Sequence, residues 1–261
     1  REKREKIMTQ TPTIGFFRML PLECKKLKRT GCLPAVVLCG LFAAAFPLAN
    51  MLVRPEAFTT LPGDPLSILA DANWQMIAML NILLSICLCC IMYHTEFADR
   101  GIQKSETLPV KAHLLFLGKG TILAVSGIVV ILTECAALGF CALHWFPAYT
   151  FDSSAAFALL KFAGFQWLML LPTMLLMLCI ASICSNMWTS LGIGIILTFT
   201  IYVFPQKNLL LGLLPFSTPY HLLSESVSAD QTLLYPAACA AETILFALCG
   251  AIYPSIRRYH S

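Results

Sequence analysis

Residues Cys32–Val53 run for the width of a membrane without one charged side chain. At ~1.5 Å of rise per residue, a helix over this run is about 30 Å long, which matches the hydrocarbon core of a bilayer. Comparable runs follow at Trp74–Tyr93, Leu114–Trp145, Ala155–Ile183, Ser190–Phe204 and Pro236–Pro254. Barrel strands would instead appear as short segments of alternating polarity. The pattern predicts an all-α, polytopic membrane protein with six transmembrane helices. Composition agrees, since 58% of the 261 residues are hydrophobic and 12% are charged. A soluble domain carries about a quarter charged residues. No stretch is polar enough, or long enough, for a separate soluble catalytic domain. We expect an N-terminal segment over 1–31, a six-span domain over 32–254 and a short tail over 255–261.

Orientation follows from the basic residues. Arg1, Lys3, Arg4, Lys6, Arg18, Lys25, Lys26, Lys28 and Arg29 precede the first span. Arg100, Lys104 and Lys111 lie between spans two and three, with Lys119 just beyond, and Arg257 and Arg258 follow the last span. The opposite side has Arg54, Lys207 and Lys161. Lysine and arginine collect on the cytoplasmic side, so both termini are expected in the cytoplasm of a cell-membrane protein. No small-residue cleavage site follows the first run, and that run has full spanning length, so we expect a span there and not a cleaved signal.

Ile14–Arg29, IGFFRMLPLECKKLKR, mixes Ile14, Phe16, Phe17, Leu20 and Leu27 with basic residues. It predicts an amphipathic interfacial helix, interrupted or started by Pro21, and equally serves as a topogenic basic flank. His94–His113 is the longest inner loop and carries Glu96, Asp99, Arg100, Lys104, Glu106 and Lys111, with Phe97, Ile102 and Leu108 between them. A simple connection is far shorter. This one has the material for a short surface helix ended by Pro109, able to dock into a partner, with a solvated loop as the alternative.

Glu134 and Glu242 lie inside the third and sixth spans. A carboxylate in lipid costs about 2.5–3.5 kcal/mol on insertion scales, so each is expected to face the bundle or a wet cavity. Two readings stand for them: contact with a cationic substrate or a role in gating, or a glutamate satisfied by a neighbouring helix's Ser, Thr or Asn, such as Asn81. The segment 205–236 holds Pro205, Pro215, Pro219 and Pro236 around the apolar run LLLGLLPF. It is too apolar for a free loop and too broken to span. Irregular backbone at membrane depth must be buried in protein, so we expect a short re-entrant piece on the outer side, with loop packing against the bundle as the alternative.

The 12 cysteines give no disulfide framework, because none falls in an outer loop. Cys87, Cys89 and Cys90 lack a second cluster or a paired histidine, and they read as helix packing more than as a metal site. The chain has no GxxxxGK[ST], HExxH or GxSxG pattern. No catalytic residue, metal or cofactor is assigned to it, and no nucleic-acid partner is expected.

These features together resemble a type-2 ABC exporter permease, over nearly the whole chain. The resemblance rests on the basic amphipathic start, six spans and an enlarged loop with Glu96, Gly101, Thr107-Leu108-Pro109-Val110 and then Lys119. It rests also on the proline-rich outer segment before the last span. The compact length and the opening FFRMLPLECKKLKR are most similar to the lantibiotic-immunity permeases of Gram-positive bacteria. The resemblance implies a coupling helix over Glu96–Val110, with Glu96, Phe97, Arg100, Gly101, Leu108 and Pro109 meeting an ATPase. It implies a separate ATPase dimer that binds ATP and Mg, a second permease subunit, the same or different, and export of antimicrobial peptides. Two other classes stay open at this point: a membrane-embedded enzyme using Glu134, Glu242 and inner histidines, and a non-transporting sensor or scaffold.

Overall fold

A computed structural model describes residues 15–98, 112–203, 212–218 and 229–260. The described residues form helices and connecting turns, with no strand among them. In chain order the helices are α1 (Phe16–Arg29), α2 (Cys32–Val53), α3 (Pro55–Thr59), α4 (Pro65–Ala98), α5 (Ala112–Trp145), α6 (Ser153–Ile183), α7 (Met187–Val203) and α8 (Ala229–His260). Stretches of α2, α4, α5, α6 and α8 are long and apolar enough to cross a membrane, and α7 is a shorter apolar helix.

Several helices run past the apolar runs read from sequence. Hydropathy marks only the lipid-facing part, whereas α4 and α5 continue for 34 residues each. Such helices are about 50 Å long at ~1.5 Å per residue, longer than the hydrocarbon core is thick. Glu96 and Phe97 therefore sit on the last turn of α4, and not on a separate loop helix as expected from the sequence. The α8 helix likewise continues to His260, so most of the stretch read as a tail is helical.

Pro21 neither starts nor breaks α1; it lies inside the helix. Thr30 closes α1, its backbone N–H and its hydroxyl both donating to the Leu27 carbonyl. Gly31 then takes φ +75, a left-handed conformation that favours glycine, and turns the chain into α2. Met19, Glu23 and Leu27, four residues apart on one face of α1, are buried. That face rests on α5, where a Cβ on Gly118 would collide with the tip of Met19.

The centre of the bundle is α5, which packs against α1, α2, α4, α6 and α8. The outer helices touch it or α4 through small residues. A Cβ on Gly250 of α8 would fall into the Phe116 ring, and one on Gly194 of α7 would press on Ile86 of α4. The outer faces of α2 and α8 expose Leu38, Leu41, Phe42, Ile244, Leu245 and Leu248. In water such surface would be a liability; in a bilayer it is the lipid-facing side.

Candidate functional site

Two polar clusters interrupt this apolar bundle, and they lie at different depths. The first is at the α1 end. Lys119 of α5 is buried, with its ammonium 2.8 Å from Glu23 of α1 and 2.9 Å from Glu96 of α4. Lys26 adds a second cation, 2.6 Å from Glu23 and 3.5 Å from Glu96. Two carboxylates and two ammonium groups thus cancel in charge. The Tyr93 ring lies 5.6 Å from the Lys119 ammonium, in cation–π range, and packs against Phe97. Burial alone would raise the Glu23 pKa, but the charges and hydrogen bonds of Lys119 and Lys26 outweigh it and hold Glu23 below the ordinary carboxylate value.

The position of this cluster matters more than its energy. Glu96 is two residues from the end of α4, and Lys119 lies in the first turns of α5. Both ends of the segment 99–111 are therefore clamped to each other and to α1. Of the residues singled out in that region, Glu96 belongs to the cluster and Phe97 packs beside it. Arg100, Gly101, Leu108 and Pro109 lie outside the described residues. Lys26 and Lys119 read in the sequence as topogenic basic residues, and Glu23 drew no notice, because a glutamate inside a run of lysines looks like one more surface charge. Its signal is the spacing with Met19 and Leu27, which puts it on the buried face.

The second cluster is near the middle of the bundle. Glu134 of α5 is fully buried. Its Oε2 accepts hydrogen bonds from the Asn81 amide of α4 and the Gln166 amide of α6, each at 3.1 Å. Its Oε1 has no partner, and neither does the Gln166 Oε1. The sequence reading named Glu134 and Asn81 but missed Gln166, an amide in a long apolar run with nothing to mark which helix it faces. Glu242 is not brought to this cluster. It is half-buried on α8, with its Oε2 enclosed and unpartnered.

Residues 212–218 lie against α6 close to this level. The Thr173 hydroxyl donates to the Pro215 carbonyl, and the Thr218 hydroxyl donates to the carbonyls of Pro215 and Met169. Met169 and Thr173 are near the midpoint of α6, so this irregular backbone is at membrane depth. Side-chain hydroxyls satisfy it and Phe216 is buried in the main core, which is how such backbone is tolerated there. Pro205 and Pro219 lie outside the described residues. At the far end of the bundle, a cleft of about 420 Å³ is lined by Asp64, Tyr149, Thr150, Asp152 and Ser154.

The sequence pattern of the ABC-2 family transporter proteins matches residues 19–201, which is most of the chain. The protein belongs to this family. No curated protein matches it at a significant level. As an ABC-2 permease it is a membrane transport component and not itself a catalyst, and the family works with an ABC ATPase. The matched stretch begins at Met19 in α1 and ends in α7, so it takes in both polar clusters and the segment 99–111 between the clamped helix ends. The hydrogen-bond partners of Glu134 are two amides. No group of three His, Cys, Asp or Glu side chains placed to hold a metal ion occurs among the described residues.

Proposed function

We propose that this permease is one half of the transmembrane pathway of an ATP-driven exporter that removes antimicrobial peptides of the lantibiotic type from the cell membrane. A dimeric ATPase subunit binds ATP and Mg on the cytoplasmic side, where α1 and both termini lie. A second permease subunit, the same or different, completes the pathway. The observation that carries this reading is the Glu23–Lys119–Glu96–Lys26 cluster.

The mechanism follows from where that cluster sits. The segment 99–111 docks on the ATPase as a coupling element, with Arg100, Gly101, Leu108 and Pro109 in it and Glu96 and Phe97 at its base. Movement of the ATPase pulls on the end of α4 and the start of α5 together, because Lys119 holds them. It moves α1 as well, through Glu23. The long, stiff α4 and α5 carry the displacement to Asn81 and Glu134, and through Gln166 to α6. There the 212–218 segment rests on Thr173 and Met169, near the middle of α6, and acts as a gate. A cationic peptide is favoured by the acidic far-end cleft of Asp64 and Asp152 and by Glu242, whose Oε2 has no hydrogen-bond partner.

Co-expression with its genomic neighbours tests the reading. The tagged chain is expected to recover an ABC ATPase from detergent, with hydrolysis stimulated by a lantibiotic. E96Q is expected to leave the complex intact but to weaken the stimulation. Substituting both Glu134 and Glu242 by Gln and finding resistance unchanged would remove the two glutamates from substrate handling or gating.

A further inference from the structure

The unpartnered oxygens around Glu134 point to a ligand that no heavy atom need supply. A carboxylate at this depth calls for a cation, yet the side chains hydrogen-bonded to Glu134 are two neutral amides. The groups that meet Glu134 are Asn81 from α4 and Gln166 from α6. On its own helix Cys135 adjoins it, and α2 packs against the neighbouring turn through Gly40 at Thr133 and Val130. From α8, the carboxyl of Glu242 is not among its hydrogen-bond partners, and α1 meets α5 at Gly118 and Lys119. The pairing of Gln166 Nε2 with Glu134 Oε2 leaves two acceptors over, Glu134 Oε1 and Gln166 Oε1. Buried acceptors without donors are rare and costly.

One proton resolves all of this. On Glu134 Oε1 it removes the charge, gives that oxygen a hydrogen to donate, and gives Gln166 Oε1 a donor to accept from. We infer that Glu134 binds a proton and that its protonated carboxyl closes an acid–amide ring with Gln166, so the middle of the bundle holds a protonation site joining α5 to α6. Turning the Gln166 amide over does not remove the need. It would place the amide oxygen where Nε2 now sits, against Oε2, and two acceptors in contact again require a proton between them. The inference stands without the exporter reading, since it depends only on these three side chains and their burial. Within that reading it adds a linkage: any motion that draws α6 away from α5 opens the ring, removes the carboxyl's acceptor and changes its hold on the proton. Conversely, proton occupancy biases the closed arrangement.

Infrared difference spectroscopy of the purified full chain tests this directly. The wild-type minus E134Q spectrum at neutral pH is expected to contain the carbonyl band of a protonated carboxyl, shifted in heavy water. The same band is expected in an E242Q background. It is expected to move in Q166L, where the ring acceptor is gone. Should E134Q fail to fold, glutamate labelled with carbon-13 at the carboxyl, compared between wild type and Q166L, gives the same reading. A labelled acid band that shifts in Q166L supports the ring. Carboxylate bands alone, or an acid band indifferent to Q166L, would overturn it.

Discussion

The two polar clusters solve the same problem, a carboxyl group inside an apolar bundle, in opposite ways. At the α1 end Glu23 and Glu96 stay charged because Lys119 and Lys26 are within ion-pair distance. In the middle, Glu134 is surrounded by amides and has no cation among the described residues. Depth explains the difference. At the α1 end the half-exposed Lys26 reaches in from α1, and the buried Lys119 is offset by two carboxylates at ion-pair distance. At mid-depth such a pair would have no exposed cation beside it, and desolvating two charges exceeds what their attraction returns unless the geometry is excellent. The shallow cluster is therefore a clamp made of charge, and the deep one a joint made of hydrogen bonds.

Substitutions break this comparison at its two poles. Lys119→Met leaves Glu23 and Glu96 sharing the half-exposed Lys26, and loss of one partner from a buried pair costs about 3–5 kcal/mol. Thermal unfolding in detergent is expected to show the largest loss for this variant. Glu134→Ala orphans the amides of Asn81 and Gln166, at about 1–3 kcal/mol for each buried group left without a partner. Glu134→Gln is expected to be nearly neutral, because an amide–amide ring with Gln166 keeps both hydrogen bonds. The same change at the other pole, Glu23→Gln, is expected to destabilise. A clear loss for Glu134→Gln, equal to that for Glu23→Gln, would erase the distinction between clamp and joint.

Smaller effects sharpen it. Thr173→Val keeps the shape of α6 but removes the hydroxyl that Pro215 accepts from, for about 0.5–1.5 kcal/mol. Its effect is expected in protease accessibility of 212–218 more than in global unfolding. Lys26→Ala removes a half-exposed pair and is expected to cost about 0.2–1 kcal/mol. Acid separates the poles in another way. Glu23 is held below its ordinary pKa of 4.5, so its contribution is fully present above that pH and is lost as pH falls through the lowered value. Cross-linking of α1 to α4 across pH is expected to weaken only in that acid range.

Much of the fold was legible from residue order. Cys32–Val53 is a helix over the same bounds as the uncharged run, because lipid-facing length and helix length coincide there. They do not coincide for α4 and α5, whose polar ends continue the helix beyond the lipid, so the apolar run alone understated them. The sites were legible by residue type but not by partnership. Glu134 stands out as a charge in an apolar stretch, and Asn81 was a reasonable neighbour for it. Gln166 was invisible, because a lone amide in a 31-residue helix gives no signal of its facing. Glu23 was hidden by composition, one acid among lysines, until its spacing with Met19 and Leu27 placed it on the inner face. Long-range pairing of this kind is a property of the packed bundle, and hydropathy along the chain does not carry it.

The central claim is that the charge clamp passes motion from an ATPase to the bundle. The most direct test is the peptide-stimulated ATP hydrolysis of the co-purified complex, compared between wild type and E96Q. The account predicts recovery of the ATPase with both proteins, and stimulation that is strong in wild type and weakened in E96Q. Recovery of the chain without any ATPase under mild conditions, or equal stimulation in the two, would contradict it.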